Sequence, residues 1–299
     1  MADVSFPSIC EVALPLDEKI KKIADRQRDW YARFIGLIAW FSSLYDGTQF
    51  VFRGHAEAQW PLNSHLWRQS GATNEADLRR AERRILGEVQ RDFWFERDFD
   101  FEPLDNDLRT LAVLQHHGIP TRLIDVTADP LVALYFAVAG TTVANAHDRV
   151  DGALYMMRRP TVGSGPLPYR VRASPQTTPR VTAQRSLFLS PLRPKQIEAQ
   201  EILLVGDLLI DTVSVNCKGA SEVADFSALA GRFLAGTRIG RPSRYAPNVL
   251  RFIVPASAKA TCRDGLRSLG VSAINLFPGL DGYRRDLLVE GRPISEPSP

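Results

Sequence analysis

LAVLQHHGIPTRLIDVTADPLVALYFAV, residues 111–138, is the stretch on which the reading of this chain turns. It reads as helix, stop, short buried strand and second helix. Leu108, Leu111, Ala112 and Leu114 give the first helix an apolar side. Gly118 suits the left-handed conformation that ends a helix, and Pro120 blocks its resumption. Thr121–Val126 is short and alternates only in part, which predicts a mostly buried strand. Asp129 then caps a helix with Pro130 at its first position. That helix is apolar on nearly every side, so it is expected at the centre of the fold. The polar residues at the joints are Gln115, His116, His117, Thr121, Arg122, Asp125 and Thr127. Such groups are costly to bury unless paired.

Upstream, Asp17 begins a helix expected to run to about Tyr45, with Ile20, Ile23, Trp30, Phe34, Leu37 and Phe41 at helical spacing. Core packing explains these aromatics. Gln49–Phe52 reads as a strand that delivers Arg53-Gly54-His55 at its end. An arginine beside a glycine there is held firmly while the backbone approaches a ligand closely. Guanidinium pairs bidentately with phosphate or carboxylate. A structural salt bridge to a buried carboxylate such as Asp125 explains Arg53 equally well, and the residues leave both readings open. A helix over Glu75–Arg97 follows, its arginines interleaved with Glu75, Asp77, Glu82 and Glu88 as on a solvated, ion-paired face.

Downstream, Gly152–Met157 reads as a strand. Residues 159–180 hold five prolines and two glycines and read as a loop. Arg180–Leu189 is predicted to be a strand carrying Gln184. Further strands are expected at Glu201–Val205, Ile210–Val215, Val249–Val254 and Val271–Phe277. Helices are expected at Ser221–Ala235 and Ser257–Leu269, and a tight turn at Pro278–Gly282.

The 299 residues are 44% hydrophobic and 24% charged, ordinary for a globular protein. A net charge of +3 permits an anionic partner, nucleic acid included, without requiring one. Cys10, Cys217 and Cys262 lack metal-type spacing, and no metal is expected. No signal peptide or membrane span is visible, so a cytoplasmic protein without a membrane partner is expected. Phosphate-loop, GxGxxG, HExxH and GxSxG motifs are all missing.

FVFRGH at Phe50–His55 resembles the opening motif of the FRG domain family. The 111–138 stretch resembles that family's central block. DGALYMM, RVTAQRSLF and SLGVSAINLFPGLDG resemble its later blocks, in order, to about residue 285. Ser186 departs from the glycine that usually follows the glutamine pair. The implied organisation is an N-terminal helical segment 1–48, an FRG-like domain 49–287 and a disordered tail 288–299. A more distant resemblance is to ADP-ribosyltransferases. It implies an α+β fold of mixed, curved sheets flanked by helices, and NAD as substrate. On that pattern Arg53 clamps the pyrophosphate, while Gly54, Gln115, His116, Thr121, Arg122 and Thr127 surround the dinucleotide. Cleaving the nicotinamide–ribose bond builds an oxocarbenium-like charge that a carboxylate stabilises. Asp125 and Glu201 are the candidates, with Glu198 beside the latter and Gln184 as neighbour or substitute. Arg53, Arg122, Asp125 and Gln184 are expected to converge in one pocket. Such an NAD-cleaving domain resembles a toxin or phage-defence effector acting on a macromolecular target that the sequence does not identify. A nucleic-acid-binding module and a catalytically silent ligand-binding domain are the readings from other classes. The arginines around 158–185 and 237–251 support the first of these.

Overall fold

A computed structural model describes residues 30–32, 34–36, 38–39, 50–72, 75–92, 108–139, 147–159, 169–173, 179–191, 213–215 and 249–288. The expected strand at Glu201–Val205 and helix at Ser221–Ala235 lie outside these residues, as do Cys10 and Cys217. In chain order the elements are β1 (Phe50–His55), α1 (His65–Ser70), α2 (Glu75–Asp92), α3 (Leu108–His116), β2 (Ile124–Thr127) and α4 (Pro130–Ala139). Next come β3 (Gly152–Arg158), β4 (Tyr169–Ala173), α5 (Pro179–Ala183), β5 (Ser186–Pro191), β6 (Val213–Val215) and β7 (Val249–Val254). The last are α6 (Lys259–Ser268), α7 (Ala273–Leu276) and α8 (Leu280–Leu288). This is a mixed α+β protein with largely antiparallel strands flanked by helices.

The chain forms two compact units. One contains β1, α4, β3, β6, β7 and α6–α8; the other contains α1–α3, β2, β4, α5 and β5.

In the first unit β1, β3 and β7 pair antiparallel, and β6 joins β7 in parallel. Side chains alternate across a strand. Phe50, Phe52, Leu154, Met156, Phe252 and Val254 therefore share one face, and all belong to a single buried core. α4 supplies the centre of that core with Val132, Ala133, Leu134, Ala137 and Val138. Asp129 caps α4 as expected, its Oδ1 accepting from Leu131 N at 2.9 Å. Phe34 stands edge-on to Phe252 at 6.3 Å and stacks on Trp30, so these two aromatics are core as their spacing predicts.

Two glycines let α4 sit this close. A Cβ on Gly54 would overlap Ala133 O and lie 2.6 Å from Ala137 N. One on Gly152 would overlap Ala137 O. The close backbone approach anticipated for a ligand at Gly54 is thus made by the central helix.

In the second unit β5 lies between β2 and β4, antiparallel to both. α3 ends as its sequence predicts. Gly118 has φ +82°, Ile119 N donates to Leu114 O at 2.9 Å, and Gly118 N donates to Gln115 O at 3.0 Å. Ile119 also packs against the cluster that holds Leu114, completing a Schellman-type stop.

Several expected elements differ. The strand in the central stretch begins at Ile124, not Thr121, because Thr121 O is taken by Leu66 N at 3.1 Å and Thr121 Oγ1 by Leu123 N. The proline-rich loop contains β4, whose Val171 pairs with Leu189. Gln184 is not in a strand. It follows α5, its N–H donating to Arg180 O, and Arg185 at φ 47° turns the chain into β5. Val271–Phe277 is helical at its centre. Ala273, Leu276 and Phe277 are buried while Ile274 and Asn275 are exposed, which is a helical period. Leu280–Gly282 belong to α8, and the turn shrinks to Pro278-Gly279.

Candidate functional site

Arg53 and His55 alternate with the core residues of β1 and therefore share the sheet face opposite α4. Arg53 is the register partner of Tyr155 on β3, and Tyr155 is that of Arg251 on β7. The three side chains form a row across three strands. Arg53 Nε donates to His55 Nε2 at 2.8 Å, which requires a neutral imidazole with its proton on Nδ1. The His55 ring meets Tyr155 edge-on at 5.1 Å. Tyr155 is 2% exposed, and its hydroxyl accepts from Arg251. Burial pushes that hydroxyl above its ordinary pKa, partly offset by the Arg251 hydrogen bond and by the charges of Arg251 and Arg53. Arg251 Nη1 also donates to Ala58 O at 3.4 Å. Val51 and Met157 beside the row are fully buried. Two guanidiniums therefore stand on one sheet face, each able to pair with phosphate or carboxylate.

A charged cluster holds the chain beyond β1. Lys259 is fully buried, and its Nζ donates to Ala56 O at 2.6 Å and His147 O at 2.7 Å. Burial lowers its pKa, Arg263 adds to that, and Asp148, Asp151 and Glu57 oppose it. Glu57 Oε1 lies 2.9 Å from His147 Nδ1, and Gln59 donates to its other oxygen at 2.6 Å. Both contacts hold Glu57 below the usual carboxylate range, Gln59 the more strongly. Arg263 grips Asp148 through two bonds of 2.6 Å and donates to Val138 O. These contacts tie the turn before β3 to α6 and account for the cluster structurally.

In the second unit a directed chain of hydrogen bonds ends on Asp125. Leu123 N donates to Thr121 Oγ1 at 3.2 Å, leaving that hydroxyl to donate to Gln115 Oε1. The Gln115 amide in turn donates to Asp125 Oδ1 at 2.7 Å. Asp125 itself is exposed between buried Ile124 and Val126. Arg122 Nε donates to Glu82 Oε1 at 2.6 Å in a largely buried ion pair. Arg122 thus makes a structural salt bridge with a carboxylate from α2. Thr127 Oγ1 donates to Gln184 O at 2.7 Å, joining two predicted residues through the glutamine's backbone. His116 is exposed at the end of α3, edge-on to His117 at 5.5 Å.

The structure therefore gathers Gln115, Thr121 and Asp125 into one network and Thr127 with Gln184 into one contact. Arg53 and Gly54 belong to the other unit. Glu198 and Glu201 lie outside the described residues. Tyr155 carried no site role in the sequence, and Arg251 stood out only among the arginines of 237–251. An arginine in the middle of the apolar strand VLRFIV was the available signal, but only strand register places it beside Tyr155 and Arg53. Among the described residues no group of three or more His, Cys, Asp or Glu side chains is placed to hold a metal ion. No helix among them is long and apolar enough to cross a membrane.

Residues 48–146 match the family model described as the FRG domain. The match takes in FVFRGH and the whole 111–138 stretch and stops before β3. No curated protein and no solved structure matches the chain.

Proposed function

We propose, from the premise that residues 48–146 form an FRG domain, that this protein binds NAD and cleaves its nicotinamide–ribose bond in the manner of an ADP-ribosyltransferase. The observation that carries the reading is the row of Arg53, Tyr155 and Arg251 on one sheet face. Arg53 would hold the pyrophosphate, with its Nε fixed by neutral His55. Fixing the dinucleotide at its most charged point is a positioning role, so the reacting bond is held without reorganisation.

The cleavage step needs a carboxylate near the developing positive charge on the ribose. Asp125, oriented by Gln115, and Glu201 are the residues offered for it. Removing such a group should lower the rate roughly 10²–10³-fold. An NAD-consuming activity of this kind fits a toxin or phage-defence effector.

The experiment is an NAD titration with nicotinamide release read in parallel, for the wild type, Arg53→Ala, Asp125→Asn and Glu201→Gln. Each variant is first checked for an unchanged melting temperature. The wild type should bind and release nicotinamide, and Arg53→Ala should lose binding. Binding without release would make the protein a ligand-binding domain. A wild type that neither binds nor cleaves NAD would end the reading.

A further inference from the structure

We infer that Thr121, a threonine sealed from solvent, is a positioning residue for Asp125 and acts through the side chain of Gln115. This rests on the reading of Asp125 as the carboxylate that faces the ribosyl charge. It moves Thr121 and Gln115 from the surroundings of the ligand to the support of the carboxylate.

The direction of each bond is fixed by chemistry. A backbone N–H can only donate, so Leu123 N, 3.2 Å from Thr121 Oγ1, makes that oxygen an acceptor. The hydroxyl has one proton, and it goes to Gln115 Oε1. The Gln115 amide then turns its NH2 toward Asp125, where it donates to Oδ1 at 2.7 Å. The opposite amide would set a carbonyl oxygen against a carboxylate, acceptor against acceptor. Both ends of the glutamine therefore specify the same orientation.

The chain is anchored where it begins and open where it ends. Thr121 is 1% exposed, and its carbonyl accepts from Leu66 N at 3.1 Å, which ties it to the first turn of α1. Gln115 stands in the last turn of α3, close to the stop at Gly118. Asp125 is exposed on a strand whose Ile124 and Val126 are buried. A long glutamine side chain has many rotamers to lose, and bonding both ends of its amide selects one. In the cleavage step the glycosidic electron pair leaves with nicotinamide, and the positive charge appears on the ribose. Water adds there and gives up a proton to solvent. The carboxylate forms no bond and acts by facing the charge, so its placement decides its effect.

The test follows nicotinamide release by the full-length protein across a range of NAD concentrations. A melting curve and the hydrogen exchange of the Gln115 side-chain amide, read by nuclear magnetic resonance, accompany it. Thr121→Val keeps the shape and loses the hydroxyl. It should lower kcat roughly 10- to 100-fold with KM for NAD little changed, and it should speed exchange of the Gln115 amide. Thr121→Ser restores the hydroxyl and should recover both. Gln115→Met keeps the bulk, should match the loss in kcat, and is the measured variant if Thr121→Val does not fold. Added to Asp125→Asn, Thr121→Val should cost nothing further, because it acts through that carboxylate. A full additional loss in that double variant would overturn the inference. So would a raised KM with unchanged kcat, or a serine variant as slow as the valine one. If the wild type releases no nicotinamide, the enzymatic reading falls by itself and the amide exchange decides. Faster exchange in Thr121→Val, restored by serine, would sustain the positioning role, and unchanged exchange would overturn it.

Discussion

The two faces of the β1–β3–β7 sheet come from the same residues taken alternately, and they obey different rules. On one face Phe50, Phe52, Leu154 and Met156 meet α4, and Gly54 and Gly152 are the points of nearest approach. There the constraint is volume, because a packed interior has no spare room. On the other face Arg53, Tyr155 and Arg251 stand in register among buried Val51 and Met157. There the constraint is charge and its partners. In FVFRGH the glycine serves the first face, and the arginine and histidine the second. Changes to the core face should therefore move stability, and changes to the row should move ligand binding.

The largest effect is expected at Gly54. Gly54→Ala places a methyl group against the backbone of Ala133 and Ala137, which cannot rotate away as a side chain would. A loss of about 3 kcal/mol or more is expected in denaturant unfolding. A loss below about 1 kcal/mol would mean that α4 is not seated as described.

Lys259 comes next. Lys259→Met keeps bulk but leaves Ala56 O and His147 O without their buried donor. About 2–4 kcal/mol should be lost, from one to two unsatisfied carbonyls. The sign of its pH dependence follows from burial. The folded pKa lies below the unfolded one, so the folded state releases its proton first as pH rises. Between those two values the unfolded chain binds more protons, and stability from this group rises with pH. The methionine variant should lack that rise in urea melts taken across the alkaline range.

Arg53→Ala removes the hydrogen bond to His55, worth about 1 kcal/mol, and should abolish anion binding. Finding the reverse, intact binding in a badly destabilised variant, would show Arg53 to be a structural residue. The smallest effect belongs to Glu57→Gln. Glu57 has a lowered folded pKa, so its contribution is complete above its unfolded value and is lost as pH falls through the folded one. Replacing it should lower melting slightly at neutral pH and leave the two proteins level at acid pH, which flattens the acid limb of the stability curve.

The part of the fold legible in the sequence was the part governed by local chemistry. Gly118 ends α3, Asp129 and Pro130 start α4, and the all-round apolarity of α4 matches its burial. The misreadings arose where periodicity was too short to discriminate. Val271–Phe277 offers one helical turn, and Arg180–Gln184 takes a helix from Pro179 although its residues also suit a strand. The site was half legible. Arg53 stood out as a charge in an apolar strand, but Arg251 becomes its counterpart only through pairing between strands nearly two hundred residues apart. Gly54 was legible as a point of close approach, but its helix partner was not.

The division of labour between the two faces is tested most directly by melting the wild type and Arg53→Ala with and without NAD. A ligand that binds only the folded state raises its stability by about 2.7 kcal/mol at a hundred times Kd. The account predicts nearly equal melting temperatures without NAD, a clear rise for the wild type with NAD, and none for Arg53→Ala. Equal rises in both proteins, or none in either, would contradict it.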